Sequence, residues 1–270
     1  MPFFESGPIK YYRFSSLENQ ELYHAVFTRQ GGFSPAPWHS LNFGASVGDD
    51  LQRVVQNREA ALVSLKLRPE SIYDVHQVHS TIIMKTDRPL SLSETHLKAD
   101  AILTNKPDVT LMMRFADCVP ILLYDPVKRV IGIIHAGWIG TVDKIANKTV
   151  MAMVENYKTN PKDIIAAIGP SIGPDHYSVG KDVLDRVQFS FGDQAEQIII
   201  YRLGKSYLDL WKANQIILSD LGVVKIENSE ICTYCNLHDW YSHRGENGKT
   251  GRFGVVLGLN HKNADLEINS

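Results

Sequence analysis

The sequence predicts one α/β (α+β) domain with mixed β-sheets, spanning residues 1–270. Predicted helices and strands interleave along the chain without a regular βαβ period, which argues against a purely parallel sheet. The composition is that of an ordinary globular protein, with 44% hydrophobic and 21% charged residues. A chain of this length can bury a sizeable core, and no repeat, low-complexity tract or linker divides it.

The first predicted elements are a strand, a loop and a helix. "HAVFTRQGG" has the pattern of a strand that ends in a Gly-Gly turn, and "FSPAPWHSLNFGASVG" has the composition of a loop. A helix is predicted to begin at Asp49 or Asp50, where an aspartate can cap a segment with one apolar face. That face comprises Leu51, Val54, Val55, Leu62 and Leu65. "SIYDVHQVHSTIIMKT" alternates as a strand does, and "ADAILTN" and "TLMMRFADC" are predicted to be short strands.

The second half of the chain continues this mixture. "GTVDKIANKTVMAMVENY" is predicted to be a helix, "DIIAAIG" a buried strand and "GPSIGPDHYSVG" a loop. Further helices are predicted around Asp182–Val187 and Leu208–Leu221. Strands are expected to flank "CTYC" and to end at "RFGVVLGLN".

The segment "ADCVPILLYDPVKRVIGIIHAGW" is predicted to be a hairpin with a cysteine at one end and a histidine at the other. With Asp125–Lys128 as the loop, Cys118 falls directly opposite His135 on the same face. Directly opposed side chains on neighbouring strands are close enough to be two ligands of one metal ion. The alternative is a buried cysteine that packs against a core histidine.

A third metal ligand is available in "VHQVHS", where His76 and His79 have opposite parity. One extended strand can aim only one of them at a given site, and parity does not choose between them. Each could equally be an ordinary structural or surface histidine.

Composition excludes several classes of protein. The net charge of −2 does not suggest a general electrostatic nucleic-acid binder, and no apolar run approaches the ~18 residues of a membrane span. "MPFFESGPIKYYRF" has acidic and polar residues where a signal peptide needs an apolar core. Cys118, Cys232 and Cys235 are a poor count for a disulfide framework. A cytoplasmic protein with free thiols or thiolate ligands is therefore expected.

Several motifs strongly resemble one family. They are "HQVHS", "ADA", "FADCVPILLYDP", "IHAGWIGT", "AIGPSIGPDHYSVG", "CTYCN" and "YSHRGENGKTGRFG", and "TRQGGFSPAPWHSLNFGASVGDD" resembles its N-terminal motif. The family is the YfiH-like proteins, long labelled polyphenol oxidases or laccase-domain proteins and now regarded as purine nucleoside phosphorylases. The resemblance implies a layered α/β/β/α fold and a single zinc held by His79, Cys118 and His135. Ile139 departs from the family, which typically has arginine there.

Three protein ligands leave a fourth tetrahedral position open, which favours a catalytic zinc over a structural one. Such a zinc lowers the pKa of its bound water to about 7, and hydroxide attack on C6 of adenosine would give deamination. The resemblance implies phosphorolysis of adenosine, inosine and S-methyl-5'-thioadenosine, with deamination as a side activity. The expected partners are therefore purine nucleosides and phosphate. The sequence leaves the preferred nucleoside open, as well as the choice between monomer and homodimer.

Candidate phosphate contacts follow the "HAGW" motif. A helix predicted to start near Gly140–Thr141 would offer free N–H groups to an anion. Arg29 in "TRQGG" and Arg244 in "SHRG" are candidate cationic partners, although each could be a solvated surface arginine.

Candidate polar groups surround the predicted ligands. Asp117 and Asp100 are candidate acid/base groups, or carboxylates that orient a metal-bound histidine. Asp100 could instead cap a turn. Asn42 in "SLNFG" and Gln77 are candidate contacts to the base or sugar, with an ordinary loop residue as the alternative for Asn42.

Copper is the main alternative to zinc, because a His, His, Cys set binds both metals and copper generally binds more tightly. Met112 and Met113 are possible axial ligands. However, a laccase-type cluster needs many HxH pairs, and none of the ten histidines forms one. A non-catalytic, zinc-stabilised binding module is a further alternative.

Three other motifs compete for a role. Cys118, His135 and Asp117 could form a cysteine-hydrolase triad, which would exclude the metal site. "CTYC" has no second CxxC or suitably spaced histidine, so a structural role is predicted for Cys232 and Cys235. "GENGKTG" lacks the first glycine of a Walker loop, because position 243 is histidine.

Overall fold

The computed structural model describes residues 2–18, 20–91 and 94–261. The strands are β1 (Phe3–Ser6), β2 (Ile9–Tyr12), β3 (Leu22–Phe27), β4 (Ile72–Tyr73), β5 (Ile83–Lys85), β6 (Ala101–Thr104), β7 (Thr110–Phe115), β8 (Val119–Asp125), β9 (Val130–Ala136), β10 (Ile165–Ile168), β11 (Ser178–Val179), β12 (Ile199–Arg202), β13 (Lys205–Leu208), β14 (Lys225–Asn228) and β15 (Phe253–Leu259). The helices are α1 (Leu51–Ser64), α2 (Trp138–Val142), α3 (Ile145–Tyr157), α4 (Lys181–Phe191) and α5 (Leu210–Asp220).

Two six-stranded sheets carry the fold. The first has the order β1-β2-β3-β15-β7-β4 and the second β14-β10-β8-β9-β6-β5, and a small sheet has the order β11-β13-β12. The pairs β4–β7, β5–β6 and β10–β14 are parallel, and the other pairs in the two large sheets are antiparallel. This confirms the predicted mixed sheets.

The sheets stack face to face between two helical layers. Ile133 of β9 packs in the core between the sheets, whereas the next residue, Ile134, packs under α3 and α5. On the far side, Ala61 and Leu62 of α1 pack against the outer face of the first sheet. Because both faces of the central strands are covered, their sequences are continuously apolar instead of alternating. The α/β/β/α layering implied by the resemblance is confirmed.

The predicted helix caps and breaks are partly confirmed. Helix α1 begins at Leu51, and Asp50 caps it by accepting a hydrogen bond from Arg53 N at 3.1 Å. The predicted helix after "HAGW" is wrong in its bounds, because it begins at Trp138 and is interrupted before Ile145. Lys144 adopts φ +62° at the interruption, which no α-helix accommodates. Across the described ranges, no helix combines the length and apolar character needed to span a bilayer.

The predicted hairpin exists, but its predicted register is wrong by two residues. Pro120 pairs with His135, and Cys118 lies just before β8. A shift of two residues preserves the face on which a strand residue lies, so the cysteine and the histidine still approach each other.

The side chain of Asp125 explains why the hairpin loop begins one residue later than predicted. Its Oδ1 accepts hydrogen bonds from Val127 N at 2.8 Å and from Lys128 N at 3.0 Å. Arg129 then reverses the chain with φ +51°. This Asx-type turn leaves residues 126–129 as the loop and pairs Asp125 with Val130.

The strand predicted for "SIYDVHQVHSTIIMKT" is also wrong in part. Only its ends, β4 and β5, are strands. Between them, His76 is exposed and forms a single bridge with Lys98, whereas His79 adopts φ +57°. The parity argument for these two histidines therefore does not apply, because they do not share one extended strand.

Candidate metal centre

Three side chains from separate parts of the chain converge at one end of the second sheet. They are His79 from the turn before β5, Cys118 from the residue before β8, and His135 near the end of β9. Their ligand atoms all lie within 4.8 Å of one another, and His79 Nε2 is 3.7 Å from Cys118 Sγ. The structure thus brings together the three residues that the resemblance implied.

The buried carboxylate of Asp100 organises two of these ligands. Its Oδ1 lies 2.8 Å from His135 Nδ1 and accepts a hydrogen bond from His79 N at 3.0 Å. Its Oδ2 accepts hydrogen bonds from Ser80 N at 2.6 Å and Ser80 Oγ at 2.7 Å. Because Nδ1 of His135 faces the carboxylate, the opposite ring nitrogen is directed to the cluster. Asp100 therefore holds the His135 ring and the backbone at His79, and its role at a bound metal stays a prediction.

The electrostatic environment favours the charged forms of Asp100, Cys118 and His135. Burial raises the pKa of Asp100, but hydrogen bonds from His135 and Ser80 outweigh it and lower the pKa to about 2. Burial likewise raises the pKa of Cys118, yet His135 and His79 lower it to about 6. Burial lowers the pKa of His135, but Cys118 and Asp100 raise it to about 9. A thiolate, the form that ligates metals, is therefore stabilised before any ion binds.

Gly137 leaves room for the ligands. A Cβ at this position would lie 2.9 Å from Cys118 Sγ and 3.1 Å from His79 Cδ2. Any larger residue would displace both side chains, so the glycine of "HAGW" is a steric requirement of the cluster.

Asp117 ties Cys118 to a second loop. Its Oδ1 accepts hydrogen bonds from Thr233 Oγ1 and Ser242 Oγ, both at 2.7 Å, and its Oδ2 accepts one from Arg244 N at 2.6 Å. Asp117 itself adopts φ +78°. Its carboxylate is therefore engaged in holding residues 233–244 beside the cluster.

Two predicted substrate contacts have structural roles in this fold. The fully buried amide of Asn42 donates to Asp49 Oδ2 at 2.8 Å and accepts from Arg252 N at 2.8 Å. Gln77 donates to the carbonyl of Arg114 and accepts from its N–H, at 2.7 and 2.9 Å. Protein groups thus engage both amides, and the contacts of Asn42 and Gln77 to a base or sugar stay predictions.

The arginines differ in their engagement. Arg29 donates to Glu246 at 3.0 Å and to the carbonyl of His39 at 2.8 Å, and its guanidinium lies over the ring of Tyr241. Arg244 lies over the ring of Tyr177 at 5.0 Å. Arg29 is thus held by its neighbours, and Arg244 lies in the loop that Asp117 anchors and donates to Ser178 O at 3.1 Å.

Arg252 was missed by the sequence interpretation. Its guanidinium donates to the carbonyls of Thr250 and Gly251 at 3.2 and 2.8 Å. Burial lowers the pKa of Arg252, and the charges of Cys118 and Asp117 offset part of that shift. Asn42 positions its backbone. The available signal was its place in the quoted "GKTGRFG" motif.

Comparison with known proteins identifies the family. A family model described as a multi-copper polyphenol oxidoreductase laccase matches residues 23–260. The purine nucleoside phosphorylase YlmD of Bacillus subtilis is 38% identical over 254 residues, which is 91% of each chain. The chain belongs to the YfiH/YlmD family. The family's purine nucleoside phosphorylase YfiH from Escherichia coli is 31% identical over 234 residues, covering 86% of this chain and 91% of that protein.

Solved structures of YfiH/YlmD proteins share the fold. YlmD from Geobacillus stearothermophilus superposes with a TM-score of 0.89 at 32% identity, covering 96% of this chain and 99% of that one. YfiH from Bacillus licheniformis has a TM-score of 0.88 at 34% identity, with the same coverage. The predicted fold class and the resemblance are both confirmed.

Proposed function

We propose that the protein is a zinc-dependent purine nucleoside phosphorylase. It would act on adenosine, inosine and S-methyl-5'-thioadenosine with phosphate, and would deaminate adenosine as a side activity. Relatives that carry the name purine nucleoside phosphorylase match about nine-tenths of the chain. The observation that carries the proposal is the convergence of His79, Cys118 and His135 on one point, with Asp100 behind them. A cytoplasmic location and the oligomeric state stay predictions.

The donor set fits zinc. Two imidazoles and one thiolate are common zinc ligands, and a tetrahedral ion would separate a nitrogen and a sulfur ligand by about 3.6 Å. The 3.7 Å between His79 Nε2 and Cys118 Sγ agrees with that value. His79, Cys118 and His135 would hold the ion, and when bound it supplies a Lewis acid with one open position.

Arginines of this chain would bind the phosphate. The charges of Cys118 and Asp117 favour the charged form of the Arg252 guanidinium, and Arg244 is fixed through its backbone by Asp117. A guanidinium can donate two parallel hydrogen bonds to a phosphate. We assign the anion to these two side chains instead of the N-terminus of α2, which has only five residues.

In this proposal Asp100 and Asp117 position other groups and do not act as acid or base. Asp100 keeps His135 in the tautomer that exposes its ligating nitrogen, and Asp117 holds the loop that carries Arg244. Both carboxylates thus position other groups. Arg29 stays a predicted contact to the phosphate, and its hydrogen bond to Glu246 fixes the position of its guanidinium.

A copper-dependent polyphenol oxidase is the second candidate, because the family model carries that description and the donor set also suits copper. The predicted axial ligands do not strengthen it. Met113 packs in the core between the sheets, and Met112 packs in the core under α1.

Chromatography of adenosine incubated with zinc-loaded protein, with and without phosphate, tests the proposal. We expect adenine and ribose 1-phosphate in equal amounts only with phosphate, and slow formation of inosine without it. Adenine release that ignores phosphate would indicate a hydrolase. No nucleoside turnover, with oxygen uptake on phenols in copper-loaded protein, would indicate the oxidase. No turnover of either kind, with unfolding on chelation, would indicate a binding module.

A paired substitution tests the phosphate contact. Arg244→Gln should raise the KM for phosphate about tenfold, because it removes a charged hydrogen-bond donor, and should change the KM for adenosine less. Lys181→Gln, which removes one positive charge from an exposed surface pair, is the control and should change neither.

A further inference from the structure

A second cluster of metal-binding side chains includes the "CTYC" motif. Sequence spacing offered Cys232 and Cys235 no local histidine, but the fold brings His176 from the loop between β10 and β11. His176 Nδ1 lies 3.4 Å from Cys235 Sγ and 3.8 Å from Cys232 Sγ, and the three ligand atoms lie within 4.8 Å of one another. These groups are separate from the ligands of the first centre.

The spacing of these atoms is that of a tetrahedral zinc site. Bond lengths of about 2.3 Å to sulfur and about 2.1 Å to nitrogen separate the two ligands by about 3.6 Å at a tetrahedral angle. The observed distances to His176 Nδ1 fall on either side of this value. Asp175 Oδ1 lies 2.9 Å from the same nitrogen, so a candidate oxygen ligand lies beside the cluster.

The surrounding residues hold the cluster in place. Gly173 N donates a hydrogen bond to Cys232 Sγ at 3.1 Å, and a Cβ on Gly173 would lie 3.1 Å from that sulfur. Asn236 Nδ2 donates to Cys232 O at 2.8 Å and closes the turn of the motif. The ring of His176 stacks on Tyr234 with centroids 4.4 Å apart. Hydrogen bonds to ligand atoms and a glycine at the closest approach are features of a preformed metal site.

We propose that His176, Cys232 and Cys235 bind a second zinc ion, with Asp175 as the fourth ligand. Four protein ligands make a closed site, which is the arrangement of structural zinc. Each thiol would lose its proton to solvent when the ion binds.

The second zinc would stabilise the two loops that lie beside the first centre. It would join the loop of residues 171–178 to the loop of residues 232–244. Thr233 and Ser242 of the second loop bind Asp117, and Arg244 donates to the carbonyl of Ser178 in the first loop at 3.1 Å. The second zinc would therefore act through the position of these loops.

Metal counting tests the proposal without any measurement of turnover, so its outcome is independent of the proposed function. The full chain is reduced, freed of metal with a chelator, reloaded with zinc and desalted, and zinc per chain is measured by mass spectrometry. We expect two ions in the wild type, one in Cys118→Ser, one in Cys235→Ser and none in the double variant. His238→Ala, which removes an exposed histidine near the motif, is the control and should keep two.

Two further measurements keep the result interpretable. Alkylation must count three free thiols in the metal-free wild type, and a zinc count that Cys235→Ser leaves unchanged from that of the reduced wild type would overturn the site. Hydrogen exchange in residues 171–178 and 232–244 should become about tenfold faster in Cys235→Ser, because the loops lose their link. Two bound ions with unchanged exchange in these loops would overturn the bracing role.

Discussion

Gly137→Ala should weaken metal binding at the first centre without unfolding the protein. The backbone at this position has φ −69° and ψ 175°, which alanine adopts without strain. The added methyl group, however, would lie 2.9 Å from Cys118 Sγ and 3.1 Å from His79 Cδ2. The effect therefore acts directly on two ligands and not on the fold.

The magnitude follows from the required displacement. An ordinary contact with a Cβ begins at 3.4 Å, so the sulfur of Cys118 must retreat by about 0.5 Å. Metal–ligand distances tolerate changes of about 0.2 Å. Disturbing the groups that position ligands typically costs a factor of about 10 to 100 in metal affinity, or about 1.4–2.8 kcal/mol.

Competition with a chromophoric chelator measures this affinity, and circular dichroism checks the fold. Gly140→Ala is the matched control in the same short helix, because its Cβ would meet a methyl group of Ile145 at 3.3 Å and no ligand atom among its nearest neighbours. Unchanged zinc affinity in a folded Gly137→Ala variant would refute the steric role. Equal losses in both variants would point to a general distortion of α2.

Three further outcomes are expected. Asp100→Asn should lower zinc affinity about 10- to 100-fold in the same titration, because its carboxylate accepts from His135 Nδ1; unchanged affinity would contradict the orienting role. Cys118→Ser should lose the zinc of the first centre in elemental analysis, one ion fewer per chain than the wild type, whereas the exposed His76→Ala should keep that ion, and equal losses would indicate another site. Burial lowers the pKa of His24 to about 3, so the unfolded chain binds the extra proton below its ordinary pKa of 6.5. Acidification from pH 7 to 5 should therefore cost about 2 kcal/mol in urea unfolding, and less in His24→Gln; parallel losses would assign the effect to other groups.

The sequence by itself predicted mixed sheets and several of their strands, and through its resemblance to a family it implied the layers of the fold and the first ligand set. Continuous apolar runs such as β8 and β9 report strands covered on both faces, and that property is local to the chain. The aspartate cap of α1 is equally local. Family motifs selected His79 over His76, a choice that hydrophobic periodicity left open.

Only the tertiary structure decided how these residues meet. The hairpin register differs from the predicted one because the Asp125 carboxylate accepts hydrogen bonds from two backbone N–H groups. His79 points toward the cluster because Asp100 accepts hydrogen bonds from the N–H groups of His79 and Ser80. His176 reaches Cys232 from 56 positions away in the chain, a distance at which no local spacing rule applies. Periodicity reports which face of an element is buried, but it carries no information about which distant loop a buried polar group will bind. Such pairings depend on the packing of whole sheets and loops, and so they emerge only when the chain is folded.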